Sequence, residues 1–206
     1  MAAGRVAIVY YSLYGHVKTL ANEIHAGVKA GGLEATILQV PETLPPNILE
    51  MLKAPPRDTS VPEVTAIDLK EYDGVIFGIP TRFGMAASQM KAFLDSTGGL
   101  WATGGLVNKT AGIFFSTGTQ GGGQETTALT FLTQLTHHGM IYVPMGYVNP
   151  KLADMSELHG GSPYGPGTFA GGDGSRQVSD LEKELARSYG ERFAQVTASF
   201  VKGSKM

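Results

Sequence analysis

The run Val6-Ala-Ile-Val-Tyr10 constrains this chain more than any other stretch. It is unbroken, apolar and rich in β-branched residues, as expected of a strand buried on both faces in a parallel sheet. It stops abruptly at Ser12-Leu13-Tyr14-Gly15-His16, and from Val17 the apolar residues Leu20, Ala21, Ile24 and Val28 follow at helical spacing. The unit is therefore strand, short polar loop, helix. Such a loop lies at the amino end of the helix, where unpaired amides point outward and the dipole favours an anion. Ser12 adds a hydroxyl, Tyr14 a planar ring, and Gly15 lets the backbone approach a ligand closely. The stretch reads as a phosphate-binding loop; the plain alternative is a turn in which Ser12 merely caps the helix. It is not a P-loop, since Gly-Lys-Ser/Thr is missing, nor a Gly-x-Gly-x-x-Gly fingerprint. No Asp ends the strand, so a phospho-acceptor site is excluded as well.

Further strands and helices alternate along the chain. Glu34–Val40 reads as a second strand after the Gly31-Gly32 helix stop. Residues 41–65 hold prolines at 41, 45, 46, 55, 56 and 62, which makes this a surface excursion with one short helix through Ile48–Leu52. A short helical signal at Ala66–Tyr72 precedes a third strand, Gly74–Pro80, which runs into Thr81-Arg82-Phe83-Gly84. Met90, Phe93 and Leu94 mark a helix, and Gly98–Gly105 reads as a glycine-rich loop. The fourth strand, Thr110–Ser116, leads into Thr117-Gly118-Thr119-Gln120-Gly121-Gly122-Gly123. A helix through Leu129, Leu132 and Leu135 ends at His137-His138-Gly139, and Met140–Val143 is a fifth strand. Residues 144–177 read as a second irregular insertion, and Val178–Val201 as a closing amphipathic helix.

This alternation predicts an α/β fold: one domain over residues 1–206 with a doubly wound, flavodoxin-like five-stranded parallel sheet in the order 2-1-3-4-5 and helices on both faces. Three polar or glycine-rich loops, at Ser12–Val17, Thr81–Gly84 and Ser116–Gly123, follow strands one, three and four. A fold of this type gathers those loops at one rim, around one ligand.

The composition removes alternatives. There is no cysteine, which excludes disulfides, iron–sulfur clusters and thiolate metal sites. A net charge of −2 without a basic stripe gives no support for nucleic-acid binding. No run approaches the length of a membrane span, and a cytoplasmic protein is expected.

Seven motifs together resemble the WrbA family: Tyr10–His16, Pro41–Pro46, Gly78–Gly84, Gly98–Trp101, Ser116–Thr119, His137–Met140 and Gly171–Gln177. Each is weak alone, but in this order they are specific, and they cover nearly the whole chain. The departures are Leu13, where bacterial members often carry methionine, and an added residue near Gln120, which bears on how the glycine loop fits. The resemblance implies an FMN-dependent NAD(P)H:quinone oxidoreductase with a flavodoxin-like fold, assembled as a homotetramer (a dimer of dimers). The implied reaction is hydride transfer from NADH or NADPH to the flavin, then two-electron reduction of a quinone, with ping-pong kinetics. Carried over by position, Ser12, Leu13, Tyr14, Gly15, His16 and Val17 would hold the FMN phosphate. Pro80, Thr81, Arg82, Phe83 and Gly84 would lie beside the ring. Arg82 would offset negative charge on the reduced flavin, or else pair at a subunit contact. Ser116, Thr117, Gly118, Thr119, Gln120, Gly121 and Gly122 would wrap the polar edge and ribityl chain. Tyr14 and Trp101 would supply stacking surfaces, Trp101 often from a neighbouring subunit, and His137 would bind flavin and aid proton delivery. The competing roles are a flavodoxin-type one-electron carrier and a regulatory or scaffold flavoprotein; no metal is implied.

Overall fold

The computed structural model describes residues 4–203. The chain runs β1 (Arg5–Tyr10), α1 (His16–Ala30), β2 (Glu34–Gln39), α2 (Pro46–Met51), a 3-10 turn (Ala66–Glu71), β3 (Gly74–Arg82), β4 (Met85–Ala86) and α3 (Ser88–Asp95). It continues through α4 (Gly98–Ala102), β5 (Thr110–Thr117), α5 (Gln124–His137), β6 (Ile141–Tyr142), a second 3-10 turn (Pro150–Ala153), β7 (Gly167–Phe169) and α6 (Asp180–Gly203).

The backbone of the sheet has the order β2-β1-β3-β5-β6, all parallel, which is the expected flavodoxin-like order once the small β4 is set aside. The solid apolar runs are buried on both faces. Ala7, Val9, Val75, Phe77, Ile113 and Phe115 pack on one side against α3, α4 and α5. Val6, Ile8, Ile76 and Phe114 pack on the other against α1 and α6.

Two strands go beyond the expected five. β4 turns back antiparallel on β3, pairing Thr81 with Ala86 and Arg82 with Met85. The two residues between, Phe83 (φ 52°) and Gly84 (φ 77°), both take the left-handed conformation that a tight type I′ hairpin requires. Thr81 and Arg82 are thus strand residues. The fifth strand is split: β6 pairs with the start of β5 and β7 with its end, and residues 143–166 loop out between. The segment 144–177 is therefore not wholly irregular. Gly98–Ala102 is also helical where a loop was expected, because Leu100 has a core site to fill.

α1 and α6 cross with backbone against backbone. A Cβ on Gly27 would lie 2.0 Å from the Arg187 carbonyl oxygen, and one on Gly190 would lie 2.3 Å from that of Ile24. Among the described residues no helix is long and apolar enough to cross a membrane.

Candidate functional site

Gly15, at φ 93°, is the residue that starts α1, and no side chain caps the helix. Ser12 is therefore no N-cap. Its Oγ accepts the Gly15 N–H at 3.1 Å, which closes the loop on itself. The first amides of α1, from His16 onward, have no partner within the helix and are available to an anion. His16 is buried, and its Nε2 donates to the carbonyl of Arg176 at 2.7 Å. The Tyr14 hydroxyl donates to the Leu52 carbonyl at 3.1 Å, so the ring reaches from the loop to the proline-rich excursion.

The carboxyl ends of β1, β3 and β5 bring these groups to one cavity of about 540 Å³. Its walls include Ser12, Leu13, Tyr14, His16 and Val17 from the first loop, Pro80, Thr81 and Arg82 from the second, and Ser116, Thr117 and Gly118 from the third. The convergence expected from the sequence is thus observed for these residues. Buried Thr117 donates its hydroxyl to the Thr119 carbonyl at 2.8 Å and accepts from Gln124 at 3.1 Å, so this wall is rigidly tied. Thr81 shares a hydroxyl hydrogen bond with Thr127 at 2.9 Å.

Other expected residues lie elsewhere. Gly15 faces a neighbouring cavity, behind the loop. Phe83, fully exposed, and Gly84 form the hairpin tip outside the walls. Thr119, Gln120, Gly121 and Gly122 are not among the residues that line the cavity, and Gln120 and Gly121 border a separate shallow depression. His137 and Trp101 are both exposed and stand at the opposite rim. α5 carries His137 back to the start of β6, and the neighbouring Gly139 carbonyl accepts the Asn108 N–H just before β5. Thr97, which precedes α4, bonds to His138 on the same side. The eight residues of β5 separate that rim from the cavity by about 25 Å.

Two wall segments escaped the sequence reading: Leu52-Lys53 and Ala170–Gly174. The second is held by a buried network. Fully buried Glu182 accepts from Gly160 N–H (2.8 Å), Thr168 Oγ1 (2.7 Å), Ser179 N–H (2.8 Å) and Arg176 Nη1 (3.0 Å). The Arg176 guanidinium also donates to the carbonyls of Phe169 and Leu158. Ser179 and Glu182 bond reciprocally at the start of α6, a capping box. Ser-x-x-Glu before an apolar-periodic helix was a signal present in the sequence, although it does not reveal the burial.

The proline-rich excursion closes the second cavity, of about 340 Å³, lined by Gln39, Glu42 and Arg57 among others. Burial pulls the Glu42 carboxyl upward, but hydrogen bonds from the Leu44 amide, Tyr11, Gln89 and the Thr43 amide hold it below its ordinary value. A depressed folded-state value contributes stability that is present above the unfolded value, about 4.3, and is lost as pH falls through the folded one. Glu42→Gln is expected to flatten the fall in urea midpoint on acidification from pH 5 to pH 3. An unaltered slope would show that the carboxylate carries none of the acid sensitivity.

The cavity fits a flavin mononucleotide by its own chemistry. Free amides at the start of α1 suit a phosphate, flat backbone at the ends of β3 and β5 suits a ring's polar edge, and its volume is in the range of cofactor sites.

Comparisons with known proteins agree. Residues 5–153 match the model of a family described as NADPH-dependent FMN reductase. The chain is 54% identical over 200 residues to the NAD(P)H quinone oxidoreductase PST2 of Candida albicans, covering 97% of this chain and 99% of that one. It is 59% identical over 197 residues to the quinone-oxidoreductase QR2 of Triphysaria versicolor, covering 95% and 96%. The solved flavodoxin, WrbA-like protein from Agrobacterium tumefaciens superimposes with a TM-score of 0.68 at 22% identity, over 96% of this chain and 99% of that one, which bears on the fold alone.

Proposed function

This chain belongs to the NADPH-dependent FMN reductase family, and from that premise we propose that it is an FMN-dependent NAD(P)H:quinone oxidoreductase. The observation that carries the proposal is the convergence of three strand-end loops on one cavity that begins at an uncapped helix start. The names of relatives at 54% and 59% identity supply the substrate class. Bound FMN supplies the redox chemistry, accepting two electrons from NAD(P)H and passing them to a quinone.

The chain's own residues bind and orient. The amides of His16 and Val17 and the Ser12 hydroxyl hold the phosphate, and the Arg176 carbonyl fixes the His16 ring so that Nε2 carries its proton. Thr81, Arg82, Thr117 and Gly118 border the ring, with the Arg82 guanidinium positioned on the Thr81 carbonyl at 2.9 Å. Tyr14, pinned to Leu52, offers a flat wall. Donor and quinone share the space above the flavin and take turns there, a ping-pong sequence. A cytoplasmic site of action is part of this reading, and the net charge of −2 lends no support to a nucleic-acid partner.

His137 and Trp101 act, in this reading, on the site of a neighbouring copy. Their own cavity is a strand length away, both are exposed, and Trp101 is a large apolar group left 60% accessible. That arrangement supports the homotetramer that family resemblance implies, with the site completed in trans.

The test is an anaerobic titration of the purified protein with FMN, followed by NADH and then benzoquinone, at protein concentrations that span assembly. Tight FMN binding, bleaching by NADH, recovery of colour by benzoquinone and parallel initial-rate lines are expected, with activity falling on dilution. A protein that stays colourless with micromolar FMN would sink the proposal. Bleaching that needs a separate reductase would favour the electron carrier.

A further inference from the structure

Resting on the oxidoreductase reading above, we propose that Lys53 recognises the phosphate groups of the dinucleotide donor and so discriminates donor from quinone. Three non-glycine residues have positive φ among the described residues: Lys53 (51°), Phe83 (52°) and Asn108 (65°). Phe83 is explained by its hairpin, whereas Lys53 closes α2. Its N–H donates to the Glu50 carbonyl and that of Ala54 to the Leu49 carbonyl, both at 2.9 Å. Glycine is the ordinary residue at such a helix end, because it takes the left-handed conformation without strain. A lysine held there, at a cavity wall, is the kind of backbone cost that binding sites carry.

The charges around the cavity single it out further. His16 is engaged with the Arg176 carbonyl at 2.7 Å and Arg82 with that of Thr81 at 2.9 Å. Asp173 is satisfied by the amide and hydroxyl of Ser175, at 3.0 and 2.8 Å. The Lys53 ammonium has no hydrogen bond or ion pair among the described residues, whereas Arg82, also without an ion pair among them, keeps one hydrogen bond to a carbonyl. Tyr14 spans the gap from the phosphate loop to Leu52, so Lys53 stands a tyrosine side chain away from the amides that take the FMN phosphate.

It is exposed, at the outer lip of the cavity. A dinucleotide whose nicotinamide lies inside must leave its pyrophosphate, and in NADPH its 2′-phosphate, near such a lip. A quinone brings no charge for the ammonium to meet.

The experiment compares the FMN-loaded protein with Lys53→Gly and Lys53→Arg, using NADH, NADPH and 1-benzyl-1,4-dihydronicotinamide, a donor without phosphate. Glycine keeps the left-handed helix end and removes the side chain with its ammonium. In Lys53→Gly the KM for NADH and NADPH, each relative to that for the benzyl donor, is expected to rise about fivefold at low salt, and the difference should shrink as salt screens it. Lys53→Arg should restore the ratio. A ratio that does not move, or an equal rise for all three donors, overturns the proposal. So does a weakened FMN affinity, which would assign Lys53 to the flavin phosphate instead. Failure of the unsubstituted protein to oxidise even the benzyl donor would strike the oxidoreductase reading itself.

Discussion

Replacing Glu182 with alanine is expected to cost about 3–5 kcal/mol of stability and to weaken FMN binding at the same time. The carboxylate is fully buried, and four donors converge on it, one of them the Arg176 guanidinium. Removing it leaves the partly buried Arg176 cation and three polar hydrogens without their partner, which costs more than the ion pair itself returned. The damage reaches the cavity, because Arg176 and Phe169 bracket the Ala170–Gly174 wall and the Arg176 carbonyl holds His16. Urea unfolding of the flavin-free protein measures the first effect, and flavin fluorescence quenching the second. Glu182→Gln separates them, since it keeps the shape and most acceptor contacts while losing the charge. If Glu182→Ala, once folded, binds FMN with undiminished affinity, the network does not hold the wall in place.

Gly190→Ala should destabilise the flavin-free protein by about 2 kcal/mol or more, although the same change within an exposed helix would stabilise it by about 1 kcal/mol. The added Cβ would come 2.3 Å from the Ile24 carbonyl oxygen and 3.0 Å from the Val28 nitrogen. Both are backbone atoms inside α1, so no rotamer change relieves the clash and the helices must separate. Separation also opens the contacts of Ile24, Val28, Tyr189 and Phe193 with the sheet. For a chain of 206 residues this corresponds to a fall in melting temperature of roughly 5 °C. A rise in melting temperature would mean that propensity outweighs the crossing and that α1 and α6 can part without penalty.

Val6–Tyr10, Gly74–Pro80 and Thr110–Ser116 declared themselves in the sequence because strands covered on both faces need continuous apolar side chains, and that pattern places three loops at one rim. β7 was hidden, since Gly167–Phe169 is three residues long and its pairing depends on β5. The wall at Ala170–Gly174 was hidden with it: small residues in loops have no periodicity, and their position is set by Glu182, whose burial at the start of the following helix is not visible in the sequence. Lys53 escaped for a related reason, because nothing local marks which side of an excursion faces a ligand. The functional residues expected at Trp101 and His137 illustrate another limit. Motif resemblance supplies their expected role, whereas within one chain both lie a strand length from the cavity.

The divided outer strand has a consequence for self-association. An open parallel sheet leaves two edges, each a row of unpaired amides and carbonyls that can template a foreign strand; in this sheet the edges are β2 and, on the far side, β6 with β7. The second of these edges is two fragments, of two and three residues, at opposite ends of β5, with the long loop 143–166 between them. Neither fragment is long enough to seed cross-β growth, so the interruption that carries the glycine-rich wall to the cavity also blunts the edge against aggregation.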